Sequence, residues 1–202
     1  MSKMFLDPEK PLNTCIAQKC DGCRVSEKLV CHFNFRQLLI FLLMALPVFL
    51  WAGFMIYQFN SFILIPWILF ILSFFGFIEI RVMCSHCPHY AETEIKSLKC
   101  WANYGSPKIW QYRPGPMSLL EKVVFYSGFI IIAGTPIAVA ILQTCYALLS
   151  VYIVLIAAWK WALKTFYCNH CINFACPFNN IDSEMRNDFF DNNPAIGEAW
   201  KK

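Results

Sequence analysis

Four long apolar runs separate the polar parts of this chain, and they limit it to one class of fold. Each run approaches the roughly 20 apolar residues that an α-helix needs to cross about 30 Å of hydrocarbon. The chain is 58% hydrophobic and only 15% charged, against about 25% charged residues in soluble domains. We therefore predict an all-α polytopic membrane protein with four transmembrane helices. The first run is too long and begins too far along the chain for a cleaved signal peptide. The predicted helices are Leu38–Tyr57, Phe62–Ile80, Val123–Leu142 and Tyr146–Leu163.

Basic residues are distributed unevenly around these runs. They crowd the N-terminal segment, the loop between the second and third runs, and the tail, whereas the tips at 58–61 and 143–145 carry no charge. Because basic loops stay on the cytoplasmic side, the pattern predicts a multi-pass protein of the cell membrane with both termini cytoplasmic. The predicted parts are a cysteine-rich N-terminal segment (1–36), a first transmembrane hairpin (37–80), a cysteine-rich loop (81–121), a second hairpin (122–164) and a cysteine-rich tail (165–202).

Ten of the eleven cysteines lie in the polar segments, and only Cys145 lies near the tip of a hairpin. The cytoplasm keeps thiols reduced, so closely spaced cysteines there favour metal ligation or redox chemistry over structural disulfides. Palmitoylation would explain Cys31 or Cys168 alone, but it does not explain repeated two-residue spacings. The predicted metal ligands are Cys15, Cys20, Cys23, Cys31, Cys84, Cys87, Cys100, Cys168, Cys171 and Cys176.

The spacings within the three cysteine clusters allow either iron–sulfur clusters or zinc. The N-terminal order Cys15-x4-Cys20-x2-Cys23 matches the first three ligands of plant-type ferredoxins, and the tail cluster has the same spacing in reverse. The middle cluster has only three cysteines, so its fourth ligand would be His86, His89 or a cysteine of another cluster. All-cysteine sets favour iron–sulfur clusters and mixed sets suit zinc. Sulfur-rich ligation alone therefore leaves both metals open.

A short Cys-x-His-Cys motif occurs twice, each time after the second helix of a hairpin. The copies at 84–87 and 168–171 stand 84 residues apart, which predicts a duplicated hairpin; the alternative is that two helix ends acquired similar motifs by chance. Copies with the same orientation are related by an axis along the membrane normal, which brings the motifs towards each other below the bundle. His86 and His170 are then either ligands or proton-handling groups, or interfacial side chains in water.

Each polar segment has roughly 40 residues, too few to bury a core of its own. A bound metal would supply the missing folding free energy, on the order of 10 kcal/mol for a structural zinc site. The aromatic and proline content of 99–121 predicts an ordered loop. The stretch 182–190 predicts a short amphipathic helix, which docks on the protein's own cytosolic face or on a soluble partner.

Several functions are disfavoured by what the chain lacks. Its histidines lie outside the apolar runs, which argues against a haem held in the bundle, and the runs contain no internal ionisable residue to line a transport path. Phosphate-binding glycine loops and dinucleotide fingerprints are absent. Four helices with a cysteine-rich loop after the second resemble the layout of protein S-palmitoyltransferases. The Asp-His-His-Cys signature of that family is missing, however, and a layout alone carries no activity.

Three functions remain. The first is an iron–sulfur protein that carries electrons at the cytoplasmic membrane face between a soluble partner and a membrane acceptor. The second is a zinc-stabilised anchor or scaffold for a cytosolic enzyme, and the third is the handling of a soft metal. All three imply contact with the lipid bilayer and with a cytosolic or membrane protein, and none involves nucleic acid.

Overall fold

The structure is a computed structural model that describes residues 10–201, so the first nine residues of the predicted N-terminal segment and the last residue of the tail lie outside it. The described residues form helices and loops without a β-strand, and an isolated antiparallel bridge joins Ser97 to Pro107. In chain order the helices are α1 (Arg24–Lys28), α2 (Phe35–Phe59), α3 (Ser61–Ser73), α4 (Glu79–Val82), α5 (Leu119–Leu142), α6 (Tyr146–Leu163), α7 (Ser183–Asn192) and α8 (Pro194–Trp200).

The prediction of four helices long and apolar enough to cross a membrane is confirmed. Helices α2 and α5 each form one span. The other two spans are longer than α3 and α6 because a π-helical segment continues each helix, at Phe74–Ile78 and at Lys164–Cys168. The complete spans are Phe35–Phe59, Ser61–His86, Leu119–Leu142 and Tyr146–Cys168.

Polar caps start two of the spans before the apolar runs begin. The side chain of Asn34 accepts a hydrogen bond of 2.9 Å from the backbone N–H of Arg36, and Ser118 and Glu121 form a reciprocal capping box at the start of α5. Such caps satisfy amides that the first turn of a helix leaves free. The first and third spans therefore begin at residues 35 and 119 rather than at 38 and 123.

Both hairpins turn within a few residues. Asn60 alone separates α2 from α3, and its side chain caps α3 by accepting a hydrogen bond of 2.8 Å from the N–H of Phe62. Three residues connect α5 to α6, and among them Thr144 adopts a φ of 56°, which lies in the left-handed region. These short turns make the two helices of each hairpin antiparallel neighbours.

Helix α2 packs against α3, α5 and α6, and α3 packs against α5. Two tryptophans cross-link the helices through their indole N–H groups. Trp67 donates to the carbonyl of Ile132 and Trp51 donates to the carbonyl of Leu148, both at 3.1 Å. A buried donor left unpaired in hydrocarbon costs several kcal/mol, so these bonds favour the observed arrangement of the helices.

The two hairpins approach each other closely at Gly128 of α5. The ring of Phe74, at the start of the first π-helical segment, lies against the place where a Cβ atom would be. Phe74 is 1% exposed, so it has no open space into which it could move. Glycine at this position allows the second span to pack directly on α5.

The three polar segments fold together as one unit, which we call the cysteine domain (residues 10–34, 83–118 and 169–201, of which 83–86 also form the last turn of the second span). Each segment was expected to be too short for a core of its own, and the structure resolves this by giving them a shared core. Buried side chains from all three segments contact one another: Leu12, Val25, Leu29, Cys31, Cys87, Ile172, Phe174, Met185, Phe189 and Ile196.

The predicted tail helix is present as α7, and it docks on the protein itself. Phe189 and Ile196 are 0% and 2% exposed in the shared core. On the surface, Arg24 of the N-terminal segment pairs with Glu184 at 2.6 Å and with Asp188 at 3.2 Å. The apolar side of the tail is therefore covered by the N-terminal segment.

Candidate metal centres

The four N-terminal cysteines surround one cavity, and we call them the N-terminal group. Cys15, Cys20, Cys23 and Cys31 all line a cavity of about 20 Å³, together with Phe189 and other residues of the tail. That volume holds about one water-sized body. The prediction that these four cysteines belong together agrees with this arrangement.

Local turns hold the N-terminal cysteines in place. The N–H of Cys23 donates to the carbonyl of Cys20 at 3.2 Å, and Gly22 between them has a φ of +69° that suits glycine. The hydroxyl of Ser26 donates to both of these cysteine carbonyls, at 3.0 and 2.9 Å. Cys23 then precedes the first residue of α1, so a tight turn and a short helix set the spacing of the thiols.

Burial raises the pKa of two thiols of the N-terminal group. Burial, followed by the charges of Cys20, Cys23 and Cys15, raises the pKa of Cys31 to about 12. Burial and the charges of Cys15 and Cys23 also raise the pKa of Cys20. Charges affect one another strongly only at short range, so these shifts agree with the grouping of the four cysteines around one cavity.

A second group of cysteines combines the loop and the tail. It contains Cys84, Cys87 and Cys100 from the loop, with Cys171 and Cys176 from the tail. Cys84 interacts electrostatically with Cys87, Cys100 and Cys176. Burial is the largest cause of the raised pKa of Cys171, and the same three cysteines raise it further. We call these five residues the second group.

Backbone N–H groups lie beside four sulfurs of the second group. Burial raises the pKa of each of these thiols, to about 12 for Cys176, and the nearby N–H groups act in the opposite direction because they favour the thiolate. The N–H of Ala102 donates a hydrogen bond of 3.5 Å to the sulfur of Cys100. The other neighbouring N–H groups are those of His89 at Cys87; Trp101 and Asn103 at Cys100; Asn173 at Cys171; and Phe178 and Asn179 at Cys176.

The fifth sulfur, that of Cys84, accepts a hydrogen bond from a side chain. The Nδ2 atom of Asn103 lies 3.2 Å from Sγ of Cys84 and 2.9 Å from Oε2 of Glu79. Glu79 is only 4% exposed. Neither Asn103 nor Glu79 was predicted from the sequence as part of the site. The position of Glu79, a carboxylate near the end of an apolar run, could have indicated a role there.

The histidines connect chain segments through hydrogen bonds to backbone carbonyls, and His32 also lines the cavity of the N-terminal group. Nδ1 of His86 lies 3.0 Å from the carbonyl of Gly115, and Nδ1 of His170 lies 2.8 Å from the carbonyl of Lys28. A carbonyl only accepts, so each Nδ1 carries the proton. His86 is 7% exposed and is therefore not the water-exposed interfacial residue that one interpretation expected.

His32 and His89 have the same role. Nε2 of His32 lies 2.9 Å from the carbonyl of Lys10. His89 is hydrogen-bonded to the backbone of Val30, and burial lowers its pKa to about 4. All four histidines thus use one ring nitrogen to tie backbone segments together, an arrangement that is also typical of histidines that ligate a metal through the other nitrogen.

The structure brings the predicted ligands together differently from their order in the sequence. Three clusters were expected, whereas the tail cysteines join the middle cluster in the second group. Cys168 lies at its edge as a neighbour of Cys176. Among residues 10–201, no three His, Cys, Asp or Glu side chains are arranged to hold a metal ion as they stand. A metal would therefore have to draw sulfurs of either group closer together.

Cys145 belongs to neither group. It directly precedes α6 at the tip of the second hairpin, and its thiol lies 3.6 Å from the carbonyl of Gln143.

No protein-family model, curated protein or solved structure matches this chain.

Proposed function

We propose that this protein is an integral membrane electron carrier whose cysteine domain holds iron–sulfur clusters at the cytoplasmic membrane face. The observation that carries the proposal is the set of buried cysteines that the loop and the tail bring together in the second group. Burial and the neighbouring sulfurs raise the pKa of these thiols. They would ionise only with a cation or a cluster to neutralise their charges.

The donor set supports iron–sulfur clusters as the bound species. Cysteine predominates in the donor set of both groups, although His32 lines the cavity of the N-terminal group beside its four cysteines. Iron–sulfur clusters are typically held by four cysteine thiolates. The N-terminal group has four cysteines, and the second group has five from which four are drawn.

The position of both groups in one domain supports electron transfer. Cys31 of the N-terminal group and Cys87 of the second group belong to the same buried core. Each cluster would gain one electron from a soluble electron-carrying protein and lose it to a membrane acceptor, with no bond made or broken in the protein. The uneven distribution of basic residues supports a cytoplasmic location for this domain.

Helix boundaries support the duplicated hairpin that the two motifs predicted. Helix α2 begins at Phe35 and α5 begins at Leu119, which is the same 84-residue interval that separates Cys84 from Cys168. A π-helical segment continues the second helix of both hairpins. Under this proposal the duplication provides two equivalent attachment points for one cysteine domain.

Anaerobic purification of the full chain, followed by analysis of iron, acid-labile sulfide and zinc, tests the proposal. We expect a brown protein in which iron and sulfide are present in equal amounts, with a paramagnetic signal after reduction. A Cys145→Ser variant is the matched control, because this cysteine lies outside both groups and its loss should leave the iron content unchanged. A colourless protein with stoichiometric zinc would contradict the proposal.

A second candidate function, a zinc-stabilised anchor for a cytosolic enzyme, is favoured by the size of the N-terminal cavity. Its volume of about 20 Å³ suits a single ion better than a multi-iron cluster, and zinc accepts four cysteines as ligands. This function predicts that a chelator unfolds the cysteine domain and releases the bound enzyme with no redox change. Retention of the domain's fold after complete removal of zinc would contradict it.

A further inference from the structure

We propose that the membrane-facing edge of the cysteine domain binds the headgroup of one anionic phospholipid, between Arg81 of the second span and the start of α5. This inference does not depend on which metal the cysteine domain binds. Arg81 lies in the last turns of a span that ends at His86, and α5 begins the third span at Leu119. Both therefore lie where lipid headgroups meet the protein, and basic pockets between transmembrane helices at this depth bind anionic headgroups.

Two arginines converge on one carboxylate at this edge. Nη1 of Arg113 lies 2.6 Å from Oε1 of Glu121, and Nη1 of Arg81 lies 3.2 Å from the same oxygen. The other oxygen, Oε2, accepts hydrogen bonds from the N–H and the hydroxyl of Ser118 at 2.9 and 3.0 Å. Lys122 follows Glu121 and is exposed. Three cations therefore accompany one carboxylate, and the excess positive charge suits an anion.

Arg81 is the arginine that is available to a ligand. Arg113 is used by the protein itself, since its Nη2 donates to the carbonyl of Arg81 at 2.7 Å and to the hydroxyl of Ser85 at 3.0 Å. A guanidinium has five N–H groups, and the hydrogen bond to Glu121 uses one of those of Arg81. The side chain of Arg81 is 41% exposed, and its guanidinium carbon lies 5.7 Å from the centre of the Trp110 ring. The ring and the carboxylate thus hold a guanidinium that has further donors to offer at the surface.

Exposed apolar side chains lie next to these charges. Leu119 and Leu120, which directly precede Glu121, are 79% and 72% exposed, and Trp110 is exposed as well. Because Leu119 and Leu120 begin a transmembrane helix, lipid chains rather than water would cover them. A ligand that offers a phosphate to Arg81 and acyl chains to the leucines fits both parts of this surface. A phospholipid has both parts, whereas a soluble phosphate ester has only the first.

The nearby carboxylates explain why the headgroup should be anionic rather than zwitterionic. Glu79 is 4% exposed and accepts a hydrogen bond of 2.9 Å from Asn103, and Glu121 is held by the two arginines. Neither carboxylate is therefore available to the cation of a choline headgroup, and that cation would lie near Arg81 and Lys122. An anionic phospholipid brings negative charge alone. Each basic residue beside anionic lipid increases binding by a factor of about five.

Native mass spectrometry of the detergent-purified full chain, titrated separately with phosphatidylglycerol and with phosphatidylcholine, tests the inference. We expect the protein to bind one phosphatidylglycerol more tightly than any phosphatidylcholine. Arg81→Gln should weaken the binding of phosphatidylglycerol about fivefold and leave that of phosphatidylcholine unchanged. Glu121 keeps its bond to Arg113 in this variant, so its carboxylate is not left unpaired.

Two further variants separate a specific site from the total charge of the membrane edge. Lys164→Gln is the matched control, because Lys164 is an exposed cation in the last turns of the fourth span, and it should leave the tight binding in place. Trp110→Leu keeps every charge but removes the ring beside the guanidinium, and it should weaken phosphatidylglycerol binding about threefold. The backbone N–H of Trp110 still donates to the hydroxyl of Tyr90, so the loop keeps this anchor.

Glycerol phosphate, which has the phosphate but no acyl chains, serves as a competitor, and we expect it not to displace the bound lipid. Displacement at an equal concentration would show that the surface binds a soluble anion, and it would overturn the inference. Equal binding of the two lipids by the unmodified protein would do the same. Equal losses in Arg81→Gln and Lys164→Gln would also overturn it, because the protein would then respond to total charge. If Arg81→Gln does not fold, an unchanged phosphatidylglycerol affinity in Trp110→Leu overturns it.

Discussion

The two cysteine groups differ in how they are held. In the N-terminal group four cysteines surround a cavity, and a tight turn and a five-residue helix set their positions. In the second group, sulfurs from two distant segments lie together, and Cys100 and Cys84 accept hydrogen bonds from the backbone of Ala102 and the side chain of Asn103. The first is a local site that a short sequence can encode, and the second exists only in the complete fold.

This difference has consequences for stability. Removing a sulfur from the second group leaves backbone donors without an acceptor and separates the loop from the tail. Removing a sulfur from the N-terminal group affects one segment and the part of the tail that covers it. We therefore expect the second centre to stabilise the domain more, and the N-terminal centre to exchange its metal more readily.

The largest effect is expected from Cys100→Ser, compared with Cys20→Ser. Cys100→Ser should remove the second centre and most of its contribution to folding, on the order of 10 kcal/mol for a structural metal. Cys20→Ser should remove the N-terminal centre but leave the second one in place. Iron content and thermal unfolding of the two variants measure this, and equal losses of stability would contradict the proposed difference between the groups.

The next largest effect is expected from Phe189→Ala, compared with Phe125→Ala. Both side chains are almost fully buried, at 0% and 1% exposure, and a truncation of this kind costs about 3–5 kcal/mol. Phe189 lines the N-terminal cavity, whereas Phe125 packs in the cluster that contains Cys84. Phe189→Ala should therefore lose metal to a chelator faster from the N-terminal centre, and Phe125→Ala should lose it faster from the second centre. Faster loss from the same centre in both variants would show that the groups are not independent.

The smallest effect is expected from Arg24→Ala. Its pairs with Glu184 and Asp188 lie at the surface, where ion pairs contribute little because water and salt screen them. The rate of metal loss from the N-terminal centre should rise by less than about fivefold, and the second centre should be unaffected. A change as large as that of Phe189→Ala would mean that surface charge, rather than the buried core, holds the tail in place.

The sequence was sufficient for the membrane part of the fold. Apolar run length identified the four spans, but the predicted bounds left out the first turns of α2 and α5 and the continuations of the second and fourth spans to His86 and Cys168. The cysteine spacings also placed Cys15, Cys20, Cys23 and Cys31 in one site, because these residues lie within a single short segment.

The sequence was not sufficient for the second group. Its formation depends on Ile172 and Phe174 of the tail packing in the same core as Cys87 of the loop, and such long-range packing has no local pattern. Asn103 was missed for a similar reason, since asparagine in a loop is common and its role depends on the nearby position of Glu79. The histidines were candidate ligands by spacing alone, whereas their partners are carbonyls of distant segments.

X-ray absorption at the iron edge, on the anaerobically purified full chain, tests the central claim most directly. We predict that iron has a first shell of sulfur alone, with iron neighbours beyond it. In Cys100→Ser, half of this signal should be lost. A protein that contains no iron and has ten freely titrating thiols in these segments, or a metal whose first shell contains histidine nitrogen, would contradict it.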